Sequence, residues 1–337
     1  MKILAFESSC DETCAAIVED GRRVLSDVVL SQIDIHHRYG GVVPEIASRA
    51  HTEAICTVCE KALEEAEVGL NEIDAIAVTC RPGLIGALLV GVNFAKSLAF
   101  TESLPLIPVN HIEGHIAAAY LNHPELKPPF LALIMSGGHT SLVQVKSYTE
   151  FCLIGATRDD AAGEAFDKAA RVLGIGYPGG KKMDELAYLG NPDAIPFPPC
   201  SIRDHDFDFT FSGLKTAVIN YAHHQNQTGG TLCHPDLAAS FTKAVCTGIA
   251  SRLENAFRSF SEKKLVLAGG VAANTHIRKT AETVCRRLGA KLYLPELRLC
   301  GDNGAMIASQ AYYNYCAGIL ADESLNASAN SPFSFHG

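Results

Sequence analysis

His111-Ile-Glu-Gly-His115 sets two imidazoles four residues apart at the head of an apolar run, Ile116-Ala-Ala-Ala-Tyr120, that reads as helix. On a helix such positions lie about 40° apart around the axis, so both rings can reach one ion. Asp302, in Cys300-Gly-Asp-Asn-Gly304, is the best candidate for a third ligand. Two histidines and one carboxylate leave coordination positions open for a substrate, which suits a working metal site better than a purely structural one. The alternative is that the histidines only cap or line a helix. Glu113 lies about 200° around the helix from His111, away from the place where the glutamate of a HExxH protease acts.

More chemistry sits where predicted elements break. Ser136-Gly137-Gly138 falls in a turn between two strands, where glycines let backbone N–H groups approach an anion. Asp11 and Glu12 occupy the corresponding turn of the first half, suited to holding a cation, ordering water or ending a strand. Gly269-Gly270, followed by Asn274 at a helix start, offers a second place for a nucleotide to rest on backbone. Neither GxGxxG nor GxxxxGK[ST] is present, which weakens Rossmann and P-loop readings. No Ser-His-Asp or Cys-His arrangement stands out. Asp11, Glu12 and His139 remain the candidates for a catalytic base.

The elements that must position these residues come in two similar series. In the first half the pattern predicts strands over 2–8, 14–19 and 24–31, a helix over 44–66, a strand over 75–79, a glycine break, a helix over 84–100 and a strand over 106–109. The second half repeats it, with strands over 130–135, 141–146 and 151–156, a helix over 235–260, a strand over 264–268, a glycine break, a helix over 273–288 and a strand over 291–294. This duplication predicts two related α/β lobes, residues 1–128 and 129–337, facing each other across a cleft. The second carries inserted material at 159–168 and a Gly- and Pro-rich, loop-rich stretch from 174 to about 230. A last helix is expected from Asn303 to about Leu320, with a Ser- and Asn-rich tail that frays beyond Asp322.

The 337 residues suffice for a large core, and the apolar run 84–100 is broken by Gly86, Gly91, Asn93 and Lys96, so no membrane span is expected. With a start too acidic for a signal peptide, this points to the cytoplasm. The twelve cysteines read as buried free thiols, and the lone Cys56-x-x-Cys59 has no second pair to complete a zinc site. A formal charge of −9 argues against a broad nucleic-acid surface of the chain's own, so any nucleic acid is met through a patch or with a partner's help.

Together these motifs resemble the TsaD family. The resemblance rests on Glu7-Ser-Ser-Cys-Asp-Glu-Thr13, Gly40-Gly-Val-Val-Pro-Glu45, Pro82 to Gly91, the HIEGH segment and Ser136-Gly-Gly-His-Thr140. It continues through Asp159 to Lys168, Tyr177-Pro-Gly-Gly180, Phe211-Ser-Gly-Leu-Lys-Thr216, Gly269 to Asn274 and Asp302 to Met306. It implies an ASKHA fold, actin-like and Hsp70-like, with two duplicated ribonuclease-H-like lobes around a nucleotide cleft. It implies transfer of threonylcarbamoyl from threonylcarbamoyl-AMP to the exocyclic amine of adenosine at tRNA position 37. His111, His115 and Asp302 would then bind one divalent metal, iron by resemblance, with zinc the other choice. Ile134, Met135, Ser136, Gly137, Gly138, Asp167, Gly180 and Asn274 would line the adenylate site, with Asp184 a further candidate. ATP with Mg2+ is a further expected ligand. The implied partners are tRNA, the metal-free paralogue TsaB, the ATPase TsaE and, upstream, the adenylate-forming TsaC. The sequence departs from the family pattern at Cys80-Arg81 and at Lys181, positions that bear on substrate contact rather than on the metal ligands.

Three other classes stand beside this one. A protease conflicts with the placement of Glu113. A sugar or acid kinase would need a carboxylate base at a substrate hydroxyl and would leave the histidine pair without a purpose. A non-enzymatic binding module would need neither HIEGH nor Asp302.

Overall fold

Short buried runs alternating with helices build two five-stranded sheets, seen in a computed structural model that describes residues 1–330 apart from 201, 203 and 204. The first half runs β1 (Lys2–Glu7), β2 (Glu12–Glu19), β3 (Arg23–Ser31), α1 (Ile33–His36), α2 (Pro44–Ala66), β4 (Ala75–Arg81), α3 (Ile85–Glu102), β5 (Leu106–Asn110) and α4 (His111–Asn122). The second runs β6 (Phe130–Met135), β7 (Thr140–Val145), β8 (Phe151–Ala156), α5 (Ala162–Val172), α6 (Gly180–Ala187), α7 (Ser212–Gln227), α8 (His234–Ser259), β9 (Lys264–Ala268), α9 (Thr275–Leu288), β10 (Lys291–Tyr293) and α10 (Gly304–Cys316). The sheet orders are β3-β2-β1-β4-β5 and β8-β7-β6-β9-β10. Position for position they coincide, with β1 parallel to β4 as β6 is to β9. That is the duplicated ASKHA architecture.

Both faces of the first sheet are covered at β1 and β4, which is why these two strands run almost continuously apolar. Leu4, Phe6, Ile17, Ile76 and Val78 pack with Ile55, Val58, Val92 and Ala95 of α2 and α3. Ile3, Ala5, Val18, Ala75 and Ala77 point the other way, onto Ala118 of α4 and Ala305, Met306, Ile307, Ala308 and Ala311 of α10. Among the described residues α3 alone is long and apolar enough to cross a membrane. Its Leu88, Val92, Ala95 and Ala99 are buried in the fold, as a core helix requires.

Contacts divide the chain into two units, one of Met1–Pro128, Val145–Cys152 and Pro295 onward, the other of Pro129–Gln144 and Leu153–Leu294. This differs from a simple division at residue 128, because α10 packs on β1, β2 and α4 rather than within the second unit. The tail does not fray at Asp322 either. Leu325 and Ala327 join the first core, Ser328 N–H donates to Cys80 O at 2.9 Å, and Ala321 bridges to Leu106. Residues 331–337 of that tail lie outside the described residues. The Gly- and Pro-rich insertion also carries more order than its composition suggests, since it holds α6 and α7. Asp159 accepts from Phe211 N and Ser212 N at the start of α7, and Asp160 pairs with Lys168 and Lys215.

Two glycines let α10 approach closely. A Cβ at Gly304 would lie 2.7 Å from Ala16 N and 2.8 Å from Ala16 Cβ, and one at Gly114 would lie 2.7 Å from Ile307 Cδ1. The Gly304 clash involves the backbone of β2, which cannot step aside. Gly304→Ala should therefore destabilise the protein by about 1–3 kcal/mol through overpacking. Denaturant unfolding measures this, and a midpoint unchanged from wild type would mean that α10 has slack against the sheet.

Candidate functional site

The first unit gathers the histidine pair at the carboxyl ends of its parallel strands. β5 ends at Asn110, whose side-chain Oδ1 accepts from Ile112 N at 2.8 Å and caps α4. His111 thus becomes the first helical residue and His115 lies one turn on, both buried, with ring centroids 4.6 Å apart. Asp302 arrives from the turn before α10. Asn303 caps that helix through Met306 N at 2.8 Å, while Asp27 of β3 accepts from Gly304 N and Ala305 N at 3.1 Å each. Asp302 Oδ1 lies 3.3 Å from His115 Nε2 and 3.6 Å from His111 Nε2, and one ligand atom from each of the three residues falls within 4.8 Å of the others.

The electrostatics of the three side chains suit a cation. Neither ring nitrogen of the fully buried His115 makes a well-formed hydrogen bond, although Nε2 faces Asp302. An orphaned buried imidazole is costly unless something else takes its lone pair. Burial, then the neighbouring His111, hold the His115 pKa down, which keeps it a neutral ligand. For His111, burial is outweighed by Glu7 and Asp302, and its pKa rises to about 9. Glu12 is pushed up to about 9 by burial, then by Asp302 and Asp11. A cation would relieve this crowding of carboxyl groups.

In the second unit the expected nucleotide residues form a closed circuit of contacts. Ile134 and Met135 have no exposed side-chain surface, so only their backbone is on offer. Met135 O abuts Gly269, whose φ of +88° and lack of Cβ permit the approach. Ser136 O accepts from Gly163 N of α5 at 3.2 Å, and Gly137 and Gly138 are exposed with open space around them. From α5, Asp167 Oδ1 accepts from Gly179 N at 2.8 Å, next to Gly180 at the head of α6. Further along α6, Asp184 accepts from Thr275 N at 3.0 Å and from His276 Nδ1 at 2.7 Å, beside Asn274. His139 closes the Ser136 turn, its carbonyl accepting from Ser136 N at 2.8 Å.

Comparison with known proteins decides the class. The family described as "TsaD: tRNA N6-adenosine threonylcarbamoyltransferase" matches residues 23–309. The tRNA N6-adenosine threonylcarbamoyltransferase of Clostridium novyi (strain NT) is 52% identical over 331 residues, 98% of this chain and 97% of that protein. The chain belongs to the TsaD family. Among solved structures, HypF of T. kodakarensis aligns with a TM-score of 0.65 at 14% identity, over 96% of this chain and 49% of that one. Component A of the (R)-2-hydroxyglutaryl-CoA dehydratase of Acidaminococcus fermentans aligns with a TM-score of 0.57 at 16% identity, over 94% of this chain and 99% of that one. At such identities these two speak for the fold alone.

For a TsaD chain two features of the site were not expected from sequence. Asp184 spends its carboxylate on Thr275 N, Thr275 Oγ1, His276 N and His276 Nδ1, so it caps α9 rather than standing open toward a ligand. Asn274 Oδ1 likewise caps α9 through Ile277 N at 3.0 Å. The first N–H groups of α9 are therefore occupied, whereas Gly137 and Gly138 of the turn after β6 stand exposed. The second feature is Asp27, which anchors the start of α10. Two glycines flanking a strand end, and an Asn before a helix, were visible signals; a carboxylate reaching across from another element leaves none.

Burial alone would raise the Asp184 pKa, but the donors on His276 and Thr275 outweigh it and hold it low. Its stabilisation is complete above the ordinary carboxylate range and fades as pH falls below about 4. Asp184→Ala should cost about 1–2 kcal/mol at neutral pH by uncapping α9. The deficit should narrow toward acid, and a gap that stays constant from pH 7 to pH 3 would contradict the assignment.

Proposed function

We propose that this chain transfers the threonylcarbamoyl group of threonylcarbamoyl-AMP to the N6 amine of adenosine 37, beside the anticodon of tRNAs that read ANN codons. The products are threonylcarbamoyladenosine and AMP. The observation that carries this reading is the convergence of His111, His115 and Asp302 in a chain of this family.

His111, His115 and Asp302 would hold the ion. Their two nitrogens and one oxygen suit Fe2+, with Zn2+ the next choice. A divalent ion so held supplies a Lewis acid for the threonylcarbamoyl end of the donor. The chain's own groups do the rest. Gly137 and Gly138 offer backbone N–H groups to the adenylate phosphate, and Ile134 and Met135 shape its floor through their backbone. Gly180 leaves room for a nucleoside at the head of α6, and Asp167 faces it from α5. Asn274 and Asp184 keep α9 in place beside them. Since AMP is a good leaving group, orientation and charge stabilisation suffice without a covalent intermediate. Asp11, Glu12 and His139 are the candidates for taking the amine proton; burial beside Asp302 and Asp11 pushes Glu12 up to about 9, so its carboxyl must first lose its own proton to serve.

On this reading the acceptor is tRNA, the partners are the paralogue TsaB, the ATPase TsaE and the adenylate source TsaC, the setting is cytoplasmic, and ATP with Mg2+ is a further ligand; the family likeness supports it. The net charge of −9 fits tRNA binding shared with a partner. His111→Ala, His115→Ala and Asp302→Ala should each lose bound metal on elemental analysis. Transfer of threonine-derived label to tRNA by the assembled system should fall by about 100-fold or more. A folded, metal-free variant with wild-type transfer would refute the reading.

A further inference from the structure

Glu7 ends β1 with no solvent exposure at all, although Ile3–Phe6 before it are entirely apolar. A carboxylate taken out of water is expensive unless its oxygens are fully engaged. Here they are. Oε1 accepts from Ser9 N at 2.5 Å, and Oε2 accepts from Thr79 Oγ1 at 2.5 Å and meets His111 Nδ1 at 3.0 Å. Sheet register brings these groups to one level. Phe6 pairs with Val78 and Thr79 with Val109, so Glu7, Thr79 and the residues entering α4 emerge side by side from β1, β4 and β5.

We infer that Glu7 is a positioning residue for His111. Its carboxylate accepts the Nδ1–H, fixes that tautomer and turns the Nε2 lone pair toward His115 and Asp302. A ligand histidine held from behind by a carboxylate is a recurrent way to orient the ring and raise its basicity. Ser9 Oγ, also 3.0 Å from Nδ1, is the weaker acceptor of the two, and its own backbone N–H is bound to Glu7. Glu7 also brings a second negative charge to the site, so that with Asp302 it balances a dication. Thr79 completes the arrangement by donating to the same oxygen that faces the ring. The inference rests on the metal reading proposed above, and no ligand atom of its own is assigned to Glu7.

Glutamine at this position is a sharp probe because it is nearly isosteric. If its amide oxygen keeps the bond from Ser9 N, its NH2 faces His111 Nδ1 and selects the opposite tautomer, with a proton on the nitrogen that should bind metal. If it flips, the NH2 confronts the Ser9 N–H. Either way the site is spoiled while the core volume is kept.

The test uses full-length wild type, Glu7→Gln and Glu7→Ala, loaded with Co2+ alone. Affinity is read by competition with a chelator, ligand geometry by the visible spectrum of the bound Co2+, and folding by thermal melting of the apoprotein. Both variants should bind Co2+ about 10–100-fold more weakly than wild type, with an altered spectrum. Glu7→Gln should fold even if the cavity left by Glu7→Ala prevents that variant from doing so. A folded Glu7→Gln protein with wild-type affinity and spectrum overturns the assignment and leaves the metal reading standing. A wild-type chain that fails to take up Co2+ overturns the metal reading and this inference with it.

Discussion

The constraint on which the first unit depends is the close approach of α10 to α4 and to β2. Asp302 is remote in sequence from HIEGH, and nothing local would bring it to the two histidines. The approach is possible because Gly114, between the histidines, and Gly304, two residues after the aspartate, present no side chain at the contact. Asp27 and Asn303 then fix the first turn of α10 by accepting its free N–H groups. Packing therefore sets where Asp302 stands, and the polar groups at the helix start set where its carboxylate points. The small residues of HIEGH and of Asp302-Asn-Gly304 serve one contact as much as they serve chemistry.

The same sheet topology gives the two units opposite electrostatic character at equivalent turns. Between β1 and β2 the chain places Asp11, with Glu12 opening β2; between β6 and β7 it places Gly137 and Gly138. The first is crowded with carboxyl groups, to the point that Glu12 rises to about 9 by burial beside Asp302 and Asp11. The second is open and neutral, with exposed backbone. A scaffold duplicated in strand order has diverged at its turns into a cation-seeking end and an anion-accepting end.

Much of this was legible in the sequence because it is periodic or local. The spacing of HIEGH, the alternation of buried strands and the helix from Pro44 to Ala66 all declare themselves within a few residues. The strand-order match was readable because each half repeats the same succession of elements. What stayed hidden depends on contacts distant along the chain. Asp184 entered as a further candidate ligand through the family resemblance, and only the fold reveals four donors already on it. Glu7 stood only as a residue of the first strand and the head of the Glu7–Thr13 motif; its contacts become visible once Thr79 and His111 stand beside it. The tail beyond Asp322 looked like solvent-exposed linker by composition, yet it crosses β4, β5 and α3 with Leu325 and Ala327 packed inward.

None of the residues in the second unit's circuit is a cation. Asp167, Asp184, Asn274 and the glycines offer backbone amides, one amide side chain and two carboxylates. Lys168 and Lys215 are engaged with Asp160, while Lys181 and Lys182 directly follow Gly180 at the head of α6. A phosphate resting on the Gly137–Gly138 backbone itself would be held there by neutral donors, each weaker than a charge-assisted bond. On the proposed reading this is an advantage, since AMP must leave after each transfer, and a nest of lysines would hold the product as firmly as the donor. On that reading, donor and product differ only in the threonylcarbamoyl group, so discrimination between them falls to whatever holds that group.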